Sequence, residues 1–306
     1  VFTQSRHFYD TSILDEQQSN SKQRNKIRAR LANNAKSLAI SINTQIIALG
    51  KEDRWIDILN LYQKEKQNFN AVNYSTVMSQ LARIRQMPKD DPLFESFLDD
   101  LSAKLYECGI NWLGDVRHLL TTVHAFMKMG LQPNRNSSVN QIMTFVAEAE
   151  TAEWLVKNGT PQSIANCVWA CGKLGIEAPK LFELLDERAE WLMNNGIPQS
   201  IANSVWACGK LGIQAPKLFR VLDERAEWLL ENGTSQNIAN CAWACGKLGI
   251  KAPKLFKLLG RHAKWLAGNG TQQEIANCVW ACKKLGIKAP KLFLHARRTS
   301  GVVDEA

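Results

Sequence analysis

The chain has 306 residues, 45% of them apolar, which suffices for one or two folded domains. No run approaches the ~18 apolar residues a spanning helix needs, so a membrane-crossing helix is excluded. Its 38 Lys and Arg against 29 Asp and Glu leave a formal charge of +9, a balance that favours a polyanionic partner.

Residues 1–35 are rich in Ser, Gln, Asn, Lys and Arg and poor in acids. This composition suits the remains of an organelle transit region or a disordered tail, becoming helical near Ile27. Val1 in place of Met reads as a processed product or a fragment. Residues 36–110 are helical by period. Leu38, Ile42, Ile46 and Leu49 form one apolar stripe and Trp55, Ile58, Leu59 and Tyr62 the next, with a turn at Gly50 between them. A further helix runs through Tyr74, Val77, Met78, Leu81 and Ile84. Pro88 and Pro92 end it and start another, which carries Phe94, Phe97, Leu98, Leu101 and Leu105.

Residues 154–298 repeat a 37-residue unit four times. Trp154, Trp191, Trp228 and Trp265 mark the period, as do Pro179, Pro216, Pro253 and Pro290. A fixed period in this range indicates a stacked array rather than an enzyme built around one cleft. Residues 111–153 are a degenerate copy: aligning Gly130 with Gly175 puts His124 on Trp169 and Lys128 on Lys173, with an insertion of eight residues expected near Pro133–Ser138. Residues 299–306 are a tail.

Each regular unit reads as a helix pair. Helix A of the first opens after Thr160, a good N-cap, with Pro161 at its first position, and closes at Gly175. Thr271 and Glu274 form a capping-box pattern in the fourth. Helix B opens at Pro179 and stops at Gly196. Strand signals are missing throughout. The fold class expected is all-α, a right-handed α-solenoid of helix-pair repeats.

On helix A, Ile164, Val168, Cys171 and Leu174 make one apolar stripe, and Ala165, Trp169 and Gly172 an adjoining one. On this reading the Trp169 row packs between helices. The remaining face is Gln162, Asn166, Ala170 and Lys173, and it is identical in every copy: Gln199, Asn203, Ala207, Lys210; Gln236, Asn240, Ala244, Lys247; Gln273, Asn277, Ala281, Lys284. An amide can pair with a base edge and a lysine can neutralise a phosphate, so these rows are the candidate RNA-binding residues. The Asn row has an alternative role, bonding laterally to the next unit's backbone. Only varying positions can discriminate between bases; Ser163, Ser200, Asn237 and Glu274, beside the Gln row, are the selectivity candidates.

The array also holds the entire excess charge. Net charge climbs from −2 over residues 151–187 to +1, +4 and +6 over the three windows that follow, ending at residue 298. Cys167, Cys171, Cys208, Cys241, Cys245, Cys278 and Cys282 fall inside helix A and read as packing residues, not metal ligands. Free cysteines in such number suit a reducing compartment. Asp186 with Glu187, and Asp223 with Glu224, read as a solvated face of helix B. No nucleophile, metal-ligand set or phosphate loop emerges, so catalytic residues, cofactors and a small-molecule substrate are not expected.

The run Pro161-Gln-Ser-Ile-Ala-Asn-Cys-Val-Trp-Ala-Cys-Gly-Lys-Leu-Gly175 resembles the octotricopeptide repeat of algal organelle proteins. The segments Asn43–Trp55 and Leu59–Tyr62 resemble one pentatricopeptide-type helix pair. The resemblance implies a non-catalytic RNA-binding protein of a mitochondrial matrix or plastid stroma, acting in RNA processing, stability or translation. Single-stranded or ribosomal RNA would be its partner, with ribonucleoprotein subunits possible beside it. A structural subunit of an organellar ribosome and a protein–protein scaffold stay open as alternatives. The near-identity of the repeats favours a general RNA cradle over a discriminating reader.

Overall fold

A computed structural model describes residues 4–300. Among the described residues there are helices and one short 3-10 turn but no strand. The chain divides into two compact units, one ending at Ile84 and one beginning at Arg85.

The N-terminal unit holds α1 (Gln4–Lys51), α2 (Trp55–Glu65) and α3 (Ala71–Leu81). Helix α1 begins well before the Ile27 expected from sequence. Side chains 23–38 are exposed, and burial starts at Ala39, Ile42 and Ile46, which α2 and α3 cover. Asn73 is fully buried, yet its amide donates to the Ala39 carbonyl at 2.9 Å, so no polar group is stranded there. Gly50 sits at a close approach: a β-carbon on it would lie 2.8 Å from Gln80 Cβ.

The C-terminal unit opens with α4 (Pro92–Leu113), kinked at Gly109, where φ is +62°. It continues with α5 (Val116–Met129), α6 (Ser137–Ala147) and α7 (Ala149–Asn158). The first regular repeat is α8 (Pro161–Leu174), α9 (Pro179–Glu187) and α10 (Ala189–Asn195). The second is α11 (Pro198–Leu211), α12 (Pro216–Glu224) and α13 (Ala226–Asn232). The third is α14 (Ser235–Leu248), α15 (Pro253–Arg261) and α16 (Ala263–Asn269), and the fourth α17 (Gln272–Lys284) and α18 (Pro290–Ser300). This is an α-solenoid, as the period implies.

Two expectations need correction. The repeat is not a simple helix pair, because helix B breaks into two at Arg188, Arg225 and His262. The break has a packing reason: the second piece of each helix B lies on the first piece of the next, α10 on α12, α13 on α15 and α16 on α18. The eight-residue insertion is also not confined to Pro133–Ser138. The loop there is longer, but α6 has 11 residues against 9 in α9, and α7 has 10 against 7 in α10.

Helices α5, α8, α11, α14 and α17 pack side by side in succession. Their spacing is set by a glycine row. A β-carbon on Gly172 would lie 3.1 Å from Ala207 Cα, on Gly209 2.9 Å from Ala244 Cα, and on Gly246 2.8 Å from Ala281 Cα. The alanine of each helix A therefore sits against the glycine of the one before it. The cysteines fill the interior beside this seam and all seven are buried. Burial pushes the Cys208 and Cys245 thiols up to about 12, and Cys282 to about 11. A raised thiol favours the protonated form of these three, as buried packing cysteines do.

Asp186 and Asp223 are half-buried, not solvated as their sequence context suggests. Asp186 Oδ1 accepts from Leu218 N at 2.8 Å, and Asp223 Oδ1 from Leu255 N at 2.9 Å. Each caps one first-turn amide of the next repeat's helix B, whose own N-cap is an alanine with no side-chain bond. Gly260 holds the equivalent place in the third repeat and leaves α18 without this cap. A β-carbon at Gly260 meets nothing within 4 Å. Gly260→Asp should therefore stabilise the chain by about 1–2 kcal/mol, from the cap and from removing a helical glycine. Asp186→Ala should cost about 1 kcal/mol. Urea midpoints read both; a Gly260→Asp midpoint at or below the parent would refute the capping account.

Candidate nucleic-acid interface

The side-by-side helices A present one face to solvent, and it is turned by one position from the face read in the sequence. Ala170, Ala207, Ala244 and Ala281 are buried. Ala207, Ala244 and Ala281 lie against the glycine of the neighbouring helix A, so these alanines are not part of an open floor. The tryptophans take their place. Gln162, Asn166, Trp169 and Lys173 lie at i, i+4, i+7 and i+11, a spacing that keeps them on one helix face. Gln162 and Lys173 are exposed, with Asn166 and Trp169 half-buried between them. The same order recurs as Gln199, Asn203, Trp206, Lys210, then Gln236, Asn240, Trp243, Lys247, then Gln273, Asn277, Trp280, Lys284.

The tryptophans do two things at once. One edge of each ring packs into the glycine seam: the Trp206 ring would lie 3.2 Å from a β-carbon on Gly172, and Trp243 3.1 Å from one on Gly209. The exposed side forms a ladder. Trp169 and Trp206 are 6.4 Å apart at 45°, and Trp206 and Trp243 are 6.1 Å apart and stacked at 27°. Trp280 is 40% exposed. The expectation of core packing thus holds for one edge of the row only. Lys173 Nζ lies 5.6 Å from the Trp169 ring and 5.2 Å from Trp206, which holds the ammonium over the ladder rather than free in solvent.

The Asn row does not staple the stack. Asn166, Asn203, Asn240 and Asn277 are half-buried, and among the described residues none makes a side-chain hydrogen bond to a neighbouring helix. Each amide keeps its donors and acceptor for water or a ligand.

The four selectivity candidates are drawn to the helix starts. Ser163 Oγ donates to the Thr160 carbonyl at 2.9 Å. Asn237 Oδ1 accepts from Thr234 N at 3.1 Å, and Glu274 Oε2 from Thr271 N at 3.0 Å, both closing capping boxes. Ser200 is buried and its hydroxyl has no partner, since Ile197 stands where the other repeats have a capping threonine.

Sequence reading placed His124 and Lys128 in these rows but missed Arg117 and Thr121. Helix α5 packs on α8 and carries Arg117, Thr121, His124 and Lys128 in the register of Gln162, Asn166, Trp169 and Lys173. His124 and Lys128 are exposed, and Arg117 is ion-paired with Asp115 at 2.6 Å. The alignment on Gly130 contains all four; Arg117 and Thr121 match no repeat residue by type and so carry no signal alone.

Among the described residues no group of three His, Cys, Asp or Glu side chains is placed to hold a metal ion, and no helix is long and apolar enough to cross a membrane. What the face offers is amides, indoles and ammoniums in ranks, the functional groups that meet bases and phosphates. The model of the RNA-editing substrate-binding complex 6 protein family matches residues 67–300. The chain belongs to that family. No curated protein matches it. The match is to this RNA-editing substrate-binding family and does not extend to the octotricopeptide family that the repeat resembles; the two readings agree on a helical-repeat protein linked to RNA. The match covers every helix from α5 to α18.

Proposed function

We propose that the chain is a non-catalytic RNA-binding component of an RNA-editing or RNA-processing assembly, with the helix A face as its RNA cradle. The observation that carries this is the rank of Gln, Asn, Trp and Lys repeated without change on four adjacent helices. Lys173, Lys210, Lys247 and Lys284 would hold phosphates, while the tryptophan ladder and the unpaired amides of the Asn and Gln rows meet the bases. A repeated floor suits a repeated ligand, so we propose a cradle of low sequence selectivity, with Ser163, Ser200, Asn237 and Glu274 contributing little because capping or burial occupies them. The octotricopeptide-like motif supports the same ligand class and an organelle interior as the compartment. The family's name adds protein partners in a complex.

The test is a titration of an unstructured single-stranded RNA by fluorescence anisotropy across salt concentrations. Four lysine–phosphate contacts predict that log affinity falls against log salt with a slope of about −3 or steeper, at ~0.7 per contact. Indole fluorescence should be quenched in step with binding. RNA binding that is absent, or indifferent to salt, would overturn the proposal.

A further inference from the structure

Helix A repeats without change, but the helix B side does not. At the loop between helix A and helix B the successive residues are Glu177, Gln214, Lys251 and Lys288. On the first piece of helix B they are Glu183, Arg220 and Lys257, and at its end Glu187, Glu224 and Arg261. On the second piece they are Glu190, Glu227 and Lys264. All of these side chains are exposed. The climb in charge along the array is therefore made on this side, and it reverses sign.

These residues surround equivalent clefts between successive repeats. The cleft between repeats one and two is lined by Phe182, Glu177, Glu183 and Glu187, with Lys217 opposite. The cleft between repeats three and four, about 560 Å³, has Phe256 in the place of Phe182 and is lined by Lys251, Lys257 and Lys288. Its architecture is the same, but Lys251 and Lys257 stand where the first cleft has Glu177 and Glu183, Lys288 where it has Gln214, and Gly260 where it has Asp186. The pairing differs too. Lys180 is bonded to Glu183 at 3.2 Å in the first repeat, and Arg220 to Glu190 at 3.0 Å and Glu224 at 2.9 Å in the second. No ion pair involves Lys251, Lys257 or Lys288 among the described residues. Three unpaired ammoniums around a concave, low-dielectric wall focus a positive potential, and lysine binds phosphate as a point charge without demanding one geometry.

We propose that the cleft between repeats three and four is a second RNA site, which grips the phosphodiester backbone through Lys251, Lys257 and Lys288. It shares its ligand class with the helix A cradle but none of its residues, so one RNA strand engages both sides of the C-terminal repeats while the acidic cleft of repeats one and two repels it. The first and last clefts act as internal controls for each other.

The experiment uses the full chain, a single-stranded RNA of ~30 nucleotides, and two variants. Lys251→Glu/Lys257→Glu/Lys288→Glu should lower the salt slope by about 2 and weaken binding on the order of 100-fold at ~0.1 M salt, three contacts at ~0.7 each. The reciprocal Glu177→Lys/Glu183→Lys/Glu187→Lys should steepen the slope by about 2. Lys→Gln at the same three sites should shift the slope in the same direction as Lys→Glu, which guards against a fold defect from charge reversal. Unchanged affinity and slope in a folded Lys→Glu variant would overturn the proposal while leaving the helix A cradle standing. Loss of self-association with RNA affinity unchanged would also overturn it, assigning the basic cleft to the acidic cleft of a second copy. If the cleft variant loses RNA and the helix A lysine variant does not, the cleft stands and the cradle falls.

Discussion

The chain carrying Lys173→Gln, Lys210→Gln, Lys247→Gln and Lys284→Gln should bind single-stranded RNA several hundred-fold more weakly at ~0.1 M salt, with about 3 units removed from the salt slope. The size follows from counterion release: four neutralised phosphates at ~0.7 each are worth nearly three decades at that salt. Stability should hardly change. All four lysines are exposed, and the Lys173 contacts with Trp169 and Trp206 are of a kind worth about 0.5–1 kcal/mol at an exposed site. A far-ultraviolet spectrum and a thermal melt like the parent's, alongside lost RNA binding, are the expected pair of results. A melted variant would place the lysines in the stack; intact binding would remove them from the site.

The second large effect is on assembly of the ladder itself. Gly246→Ala should destabilise the chain by about 1–3 kcal/mol, by overpacking. Helix propensity alone gives the opposite sign, a gain of about 0.8–1 kcal/mol for alanine over glycine. The clash decides, because the new β-carbon would lie 2.8 Å from Ala281 Cα and 2.9 Å from its Cβ. Backbone cannot swing aside as a flexible side chain can, so α14 and α17 must separate, and the Trp280 ring at 3.0 Å moves with them. Gly268→Ala is the matched control. It lies in α16 with nothing within 4 Å of a β-carbon, so propensity should win there and the chain should gain about 0.5–1 kcal/mol. Denaturant midpoints that move in opposite directions support the seam; two shifts of the same sign would contradict it.

Much of this fold is written in local signals. The proline–glycine punctuation of the repeats places helix starts at Pro161 and Pro179 and a glycine cap at Gly175, where the structure has them. The candidate interface was legible in content but rotated. Trp169 and Ala170 are neighbours about 100° apart on the helix, and which of them turns to solvent depends on the glycine of the adjoining repeat. Intrahelical periodicity does not contain that information. A bulky indole beside a small alanine reads as core by hydrophobicity, but a seam spaced by glycine admits the alanine and leaves the indole only an edge.

The remaining misreadings have the same origin. Asp186 looks like surface because its partner, the amide of Leu218, is 32 residues away. The break of helix B at Arg188 carries no Gly or Pro to announce it, since packing on α12 imposes it. Ser163, Ser200, Asn237 and Glu274 vary as selectivity positions would, yet three of the four bond back to their own helix starts. Their polarity is the polarity of an N-terminal cap.

Mapping by ultraviolet crosslinking and peptide mass spectrometry of the full chain bound to single-stranded RNA tests the cradle most directly. Crosslinked nucleotides should fall on the peptides of α8, α11, α14 and α17, at Trp169, Trp206, Trp243, Trp280 and the lysines beside them. Crosslinks confined to other helices, with these four peptides recovered unmodified, would contradict the assignment of the helix A face.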